Sequence, residues 1–231
     1  QKNNIEDLGL VNEYVVGTFI IRKGLPYGSH YTTNYLGADP ATGRPMYESP
    51  TGATVFSEAQ AGQFAKFGTV LPEHQGGFNF DVRFKAITIS ALFSYQFDVT
   101  RYDNTGNWIT RGTLGYHQAV RASRALIDGQ WQKAGDVKRF QSSAFDRGFN
   151  SSDVADAKFL RFRNLVVSYA VPTIKTASGT TLIKSARFYV QGQNLAIWSP
   201  WKGVDPEDNN NISLNEYPNP RTFVVGIDIN F

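Results

Sequence analysis

GFNFDVRFKAITISALFSYQFD, residues 77–98, alternates apolar and polar side chains twice over. In its first half Phe78, Phe80, Val82 and Phe84 alternate with Asn79, Asp81, Arg83 and Lys85. After Lys85-Ala86 the phase flips, and Ile87, Ile89, Ala91, Phe93, Tyr95 and Phe97 alternate with Thr88, Ser90, Ser94 and Gln96. Period-2 alternation sustained on both sides of a two-residue break reads as a β-hairpin with one apolar and one polar face. Each strand runs to about ten residues, the length that crosses a bilayer at ~45° tilt. Large side chains dominate the apolar face, which fits lipid contact better than a soluble sandwich core.

The same pattern recurs at the other end. Phe223, Val225, Ile227, Ile229 and Phe231 alternate with Thr222, Val224, Gly226, Asp228 and Asn230, and the sequence stops on the aromatic. Soluble chains usually fray into polar ends, whereas the last strand of a barrel is held. Residues 159–171 form a further candidate strand, stopped by Pro172. Residues 187–198 form another, with a phase shift near Gly192–Asn194 that predicts a bulge. Residues 12–22 and 28–37 read as two strands joined by the turn sequence Lys23-Gly24-Leu25-Pro26. Residues 48–75, 99–157 and 199–219 lack strand periodicity, apart from a short helix expected over 114–129. The connections then run short (23–27), long (48–75), short (85–86), long (99–157), short (172–182) and long (199–219). That is the alternation of periplasmic turns and external loops in an outer-membrane barrel.

The expected fold class is therefore all-β: an antiparallel transmembrane segment of about seven strands, with long extracellular loops. Barrels of this class have an even strand number, so a count of seven means either one strand more in this chain or a segment of a larger wall, and the larger wall is favoured. The segment's expected edges are residues 12–22 and 220–231, with Gln1–Leu10 in an external loop. Phe78, Phe80, Phe93, Tyr95, Val225, Ile227 and Ile229 are expected to face lipid, and Ser90, Ser94 and Asn230 the lumen. Phe223, Val225, Ile227, Ile229 and Phe231 form the expected barrel-assembly signal.

Composition agrees. The 231 residues are 41% hydrophobic, 14% aromatic and 19% charged, and no apolar run approaches the ~20 residues of a membrane helix. A barrel strand shows lipid only its alternate residues, so a mean hydropathy of −0.32 is compatible with one. The 23 Lys and Arg are scattered and the net charge is +3, a weak footprint for nucleic acid. With no cysteine there is no disulfide scaffold and no thiol nucleophile. Gln1-Lys2-Asn3-Asn4 lacks the basic start and apolar core of a signal peptide, so an export signal is expected upstream.

No chemistry-bearing constellation emerges. His30, His74 and His117 lack zinc-site spacing, and no Ser-His-Asp or paired-carboxylate pattern occurs. Asp39, Thr42 and Gly43, with Asp205 and Glu207, read as calcium ligands or as turn chemistry, and turns are favoured. Gly24, Gly28, Gly76 and Gly77 read as turn and strand-crossing glycines rather than a phosphate cradle. Enzyme activity, metals and cofactors are not expected. Trp108, Trp131, Trp198, Trp201, Tyr102, Tyr116 and Tyr217 lie at expected strand ends or in long loops. Trp198 and Tyr102 suit an interfacial girdle. Trp108, Trp131, Tyr102 and Tyr116 are the candidate ligand or partner contacts, with loop packing the other reading of Trp108 and Trp131.

FLRFRNLVVSYAVP (159–172), ARFYVQGQNLAIWSPWKGVDPE (186–207) and YPNPRTFVVGIDINF (217–231) resemble the closing strands of SusC/RagA-like TonB-dependent transporters. GADPATGRPMY (37–47), residues 76–97 and WQKAGD (131–136) extend the resemblance from about Gly24 onward. It implies that residues 1–231 are the C-terminal portion of an outer-membrane barrel of about 22 strands enclosing a plug. The plug and earlier strands lie outside this chain. Also implied are import of an oligosaccharide or peptide, a SusD-like lipoprotein partner, the TonB complex acting through the plug, and a lipid bilayer around the wall. A barrel serving only as scaffold and a secreted β-sandwich binding module are the alternatives.

Overall fold

A computed structural model of the chain describes residues 3–111, 124–207, 212 and 217–231. These fall into two compact units. A sheet unit comprises His74–Phe97, Lys158–Pro200 and Tyr217–Phe231, and a loop unit comprises Gln1–Glu73, Asp98–Ala157 and Trp201–Glu216. Among the described residues no helix is long and apolar enough to cross a membrane.

The sheet unit holds five long strands: His74–Phe84, Ile87–Phe97, Phe159–Val171, Ser185–Trp198 and Thr222–Asn230. Each pairs antiparallel with its sequence neighbours, so their order in space is their order in sequence. The alternation seen in residues 77–98 sets the register, because a slip by one residue would turn every apolar side chain to the polar face. Phe80 accordingly lies opposite Ala91, which lies opposite Leu165. The first two strands are joined by Lys85-Ala86, with Lys85 in the left-handed region at φ 52°. The bulge expected near Gly192–Asn194 is present: Phe162 pairs with Ala196 but Asn164 with Gln193, and Asn194 has φ 52°. Bulges of this kind raise local twist.

Two of the seven expected strands are not in this sheet. Residues 12–22 form a small hairpin, Glu13–Val16 against Phe19–Arg22. Residues 28–37 break into Ser29–His30, Thr32–Thr33 and Tyr35–Ala38, each with a different partner. The cause is visible in burial: Ile20 and Ile21 are both buried, as are Ser29 and His30. A strand that faces lipid on one side and a lumen on the other would alternate instead. The sheet's N-terminal edge is therefore His74–Phe84, not residues 12–22. The connections at 23–27 and 48–75 lie within the loop unit, and the short/long alternation holds at the four remaining joints. The short joint after Val171 carries its own hairpin, Ile174–Lys175 against Thr181–Ile183.

The long segments are ordered where described. Thr100–Tyr102 pairs with Val154–Asp156, and Pro45–Glu48 lies between Tyr35–Ala38 and Thr54–Val55. Helices cover Asn104–Thr110 and Arg124–Gly129. The second lies within the span 114–129 where a short helix is expected; residues 114–123 lie outside the described residues.

Candidate functional site

The two faces of the sheet differ in chemistry. One carries Phe78, Phe80, Val82 and Phe84, then Ile87, Ile89 and Phe93, Leu165, Val167 and Tyr169, Phe188 and Val190, and the odd-numbered residues Phe223 to Ile229, as the registers require. Aromatic rings stack in a row across three strands: Phe78 on Phe93 at 5.0 Å and Phe93 on Phe162 at 4.5 Å between centroids. Offset stacking between neighbouring strands reinforces the register. Yet this face is uncovered in the chain; Val225 is 79% exposed and Phe84 67%. At roughly 25 cal/mol per Å², an apolar area this size does not stay in water.

The opposite face is polar and hydrogen-bonded. Asp81 accepts from Asn79 Nδ2 at 2.8 Å and from Ser90 Oγ at 2.5 Å. Gln191 donates to Asn164 at 3.0 Å, and Arg163 Nε to Ser94 Oγ at 2.7 Å. Arg187 and Asp228, directly paired across strands, form an exposed ion pair at 2.8 Å. Tyr189 lies over Gly226, its cross-strand partner, so closely that a Cβ there would meet the ring at 2.3 Å. A side chain at that position would have to displace the ring.

The loop unit is held by a buried polar centre. Arg147 makes a two-pronged ion pair with Asp153, at 2.7 and 2.9 Å, with both side chains almost fully buried. Arg147 also donates to Thr110 and Ser152, and Asn107 donates to Asp153 at 2.8 Å. Tyr35 and Phe140 lie beside the guanidinium at 6.0 and 5.7 Å. The Tyr47 hydroxyl donates to the Arg147 carbonyl. Burial pushes the Tyr35 hydroxyl up to about 12 and raises that of Tyr47 as well. None of these residues was singled out in the sequence. The signal was Asn150-Ser-Ser-Asp153, a reciprocal cap whose Asn150 and Asp153 side chains close a short 3₁₀ turn.

The candidate contact residues separate. Trp108, on helix Asn104–Thr110, is 44% exposed, and its Nε1 donates to Asn104 one turn back. Trp131 packs its ring against Gly43, where a Cβ would meet it at 2.5 Å, and donates to the Pro40 carbonyl. It is a loop-packing residue. Tyr102 is a correction to both sequence readings, girdle and contact: it is buried, its hydroxyl is 2.8 Å from Thr32 Oγ1, and its ring meets His30 and Phe149 edge-on. Tyr116 and His117 lie outside the described residues. Trp198 ends the fourth strand half-exposed, while Trp201 is buried beside Val99 and Ala157. Asp39 is satisfied by a turn, accepting from Thr42 N, Ala41 N and the Thr42 hydroxyl; that hydroxyl bond is the main reason its carboxyl sits below the usual range.

An all-β antiparallel wall with one apolar and one polar face is what the residues of the sheet define. Comparison with known proteins agrees. No protein-family model matches the chain. TonB-dependent receptor P3 of Formosa agariphila is 27% identical over 93% of this chain and 23% of its own length. TonB-dependent receptor SusC of Bacteroides thetaiotaomicron is 33% identical over 34% of this chain and 8% of its own. Among solved structures, the RagAB peptide transporter superposes with TM-score 0.82 at 25% identity, covering 95% of this chain and 25% of that one. The RagAB peptide importer in its open-open state shares the fold, with TM-score 0.85 at 24% identity. The chain is similar to these SusC- and RagA-type TonB-dependent proteins, and it spans about a quarter of their length where the match runs through most of this chain, 23% of receptor P3 and 25% of the RagAB chain.

Proposed function

We propose that this chain is the C-terminal part of the wall of an outer-membrane transporter, one that imports a nutrient of the oligosaccharide or peptide class. The observation that carries the reading is the five-stranded sheet with one continuous apolar face left uncovered. Lipid is the solvent in which such a face is stable. The relatives are receptors and transporters rather than enzymes, which supports a role in passage, not catalysis. The rest of the barrel and its plug lie outside this chain, and energy arrives through TonB acting on that plug. A SusD-like lipoprotein caps the external face. Trp108 is the exposed aromatic we assign to ligand or lipoprotein contact. Trp198 belongs to the interfacial girdle, and Phe223, Val225, Ile227, Ile229 and Phe231 to the assembly signal.

The test uses the whole protein in its own cell. Deleting its gene should abolish uptake of one labelled class, short peptides or oligosaccharides, and plasmid-borne full-length protein should restore it. Unchanged uptake of both classes in the deletion strain rejects the reading.

A further inference from the structure

The end of the sheet that carries the short turns has a charge pattern of its own. Residues 81–90, 169–190 and 226–230 contain five cations, Arg83, Lys85, Lys175, Lys184 and Arg187, against two acids, Asp81 and Asp228. Asp228 is taken by Arg187 at 2.8 Å, and Asp81 is occupied by Asn79 and Ser90. Among the described residues Lys85, Lys175 and Lys184 have no ion-pair partner.

These lysines sit on rigid supports. Lys85 is fixed in the turn between the first two strands, and the neighbouring third strand is tied to that turn by Ala170 N donating to the Ala86 carbonyl at 2.8 Å. Lys175 and Lys184 belong to the hairpin that prolongs the third and fourth strands. That hairpin is closed by Thr176 N to Thr180 O at 2.8 Å, and Lys184 N donates to Asn230 O at 2.9 Å. Adjacent strands are ~5 Å apart, so the turn and the hairpin form one rim. The same hairpin exposes Ile174 and Leu182, the latter by 58%. Three cations without an ion-pair partner, Lys85 with its Nζ over the Phe84 ring at 5.4 Å from the centroid, stand beside two exposed aliphatic side chains, a mixture that suits neither plain water nor a hydrocarbon core. They suit the boundary between headgroups and acyl chains.

Resting on the reading that this sheet lies in an outer membrane, we propose that the rim is a phospholipid-binding site of the periplasmic leaflet. Lys85, Lys175 and Lys184 hold lipid phosphates, and Ile174 and Leu182 enter the upper acyl region. An acidic lipid surface attracts a nearby lysine by about fivefold in affinity, and salt screens that attraction.

The experiment takes full-length transporter, reconstitutes it in nanodiscs of mixed phosphatidylethanolamine and phosphatidylglycerol, and measures by mass spectrometry which lipids stay with it on detergent exchange. The wild type should retain phosphatidylglycerol in excess of its bulk share. The Lys85→Gln/Lys175→Gln/Lys184→Gln variant should lose that excess, on the order of fivefold or more. Roughly 0.5 M NaCl, where screening acts within a few Å, should do the same to the wild type. Folding of the variant is checked by its unchanged insertion. A wild type that inserts but retains both lipids in bulk proportion overturns the proposal, and so does a preference abolished equally by millimolar inorganic phosphate, which marks a free-anion site. Failure to insert at all would instead count against the transporter reading.

Discussion

Arg147 and Asp153 show what the loop unit depends on. Removing one member of a buried ion pair leaves the other charge without compensation, at a cost of about 3–5 kcal/mol. Asp153→Asn should therefore loosen the loop unit, read as much faster limited proteolysis within residues 98–157. Arg147→Lys, which keeps the charge but loses the planar fork, should loosen it less. Equal protease resistance in wild type and Asp153→Asn would show that the pair is not needed. His30 makes a second residue-scale case. Its Nε2 donates to the Thr100 carbonyl at 3.0 Å, and burial, reinforced by nearby Arg101, lowers its pKa from the ordinary 6.5. Folding thus favours the neutral ring, while the unfolded chain takes up a proton below that ordinary value. The stabilisation is present above pH ~6.5 and is lost as pH falls beneath it, by up to about 1.4 kcal/mol per unit. Loop-unit melting followed from pH 7.5 to 5.5 should show this slope, and His30→Gln should flatten it.

At the scale of the element, neighbouring residues on one strand should behave oppositely. Val225 lies on the apolar face opposite Val190, and Val224 on the polar face opposite Gln191. Val225→Arg should destabilise the wall by about 2–4 kcal/mol in a bilayer, and Val224→Arg by little. Urea titration of full-length protein in vesicles would measure the difference, and equal losses would remove the basis for assigning faces. Deleting Phe231 should lower surface abundance more than it disturbs ligand binding. The five long strands were legible because period-2 alternation runs through most of the length of each, broken only at the bulges. The loop unit was not. Its strands are two to four residues long, too short to show a period. Ile20, Ile21, Ser29 and His30 are enclosed on both sides, so hydrophobicity does not mark a face there. Of the candidate contacts, Trp108 is 44% exposed. Trp131 and Tyr102 had the right composition but are consumed by packing, which depends on tertiary neighbours such as Gly43 and Thr32 that sequence spacing does not reveal.

For the whole molecule, the two edge strands of the sheet, His74–Phe84 and Thr222–Asn230, each pair with a neighbouring strand on one side only among the described residues. Open edges beside an apolar face promote association. Residues 1–231 expressed alone should therefore sediment as aggregate and stay dispersed only in detergent; a monodisperse, detergent-free monomer would contradict the account of the face.

Trp201 gives the loop unit a timetable. Its buried ring packs with Val99 and Ala157, two residues at the ends of the preceding long segment. The chain must pass through the third and fourth strands before Trp201 is delivered. This core cluster can thus be completed only late, after four strands have been made. A ribosome or assembly factor stalled before residue 201 would hold a loop unit whose earlier segments are present but not yet locked.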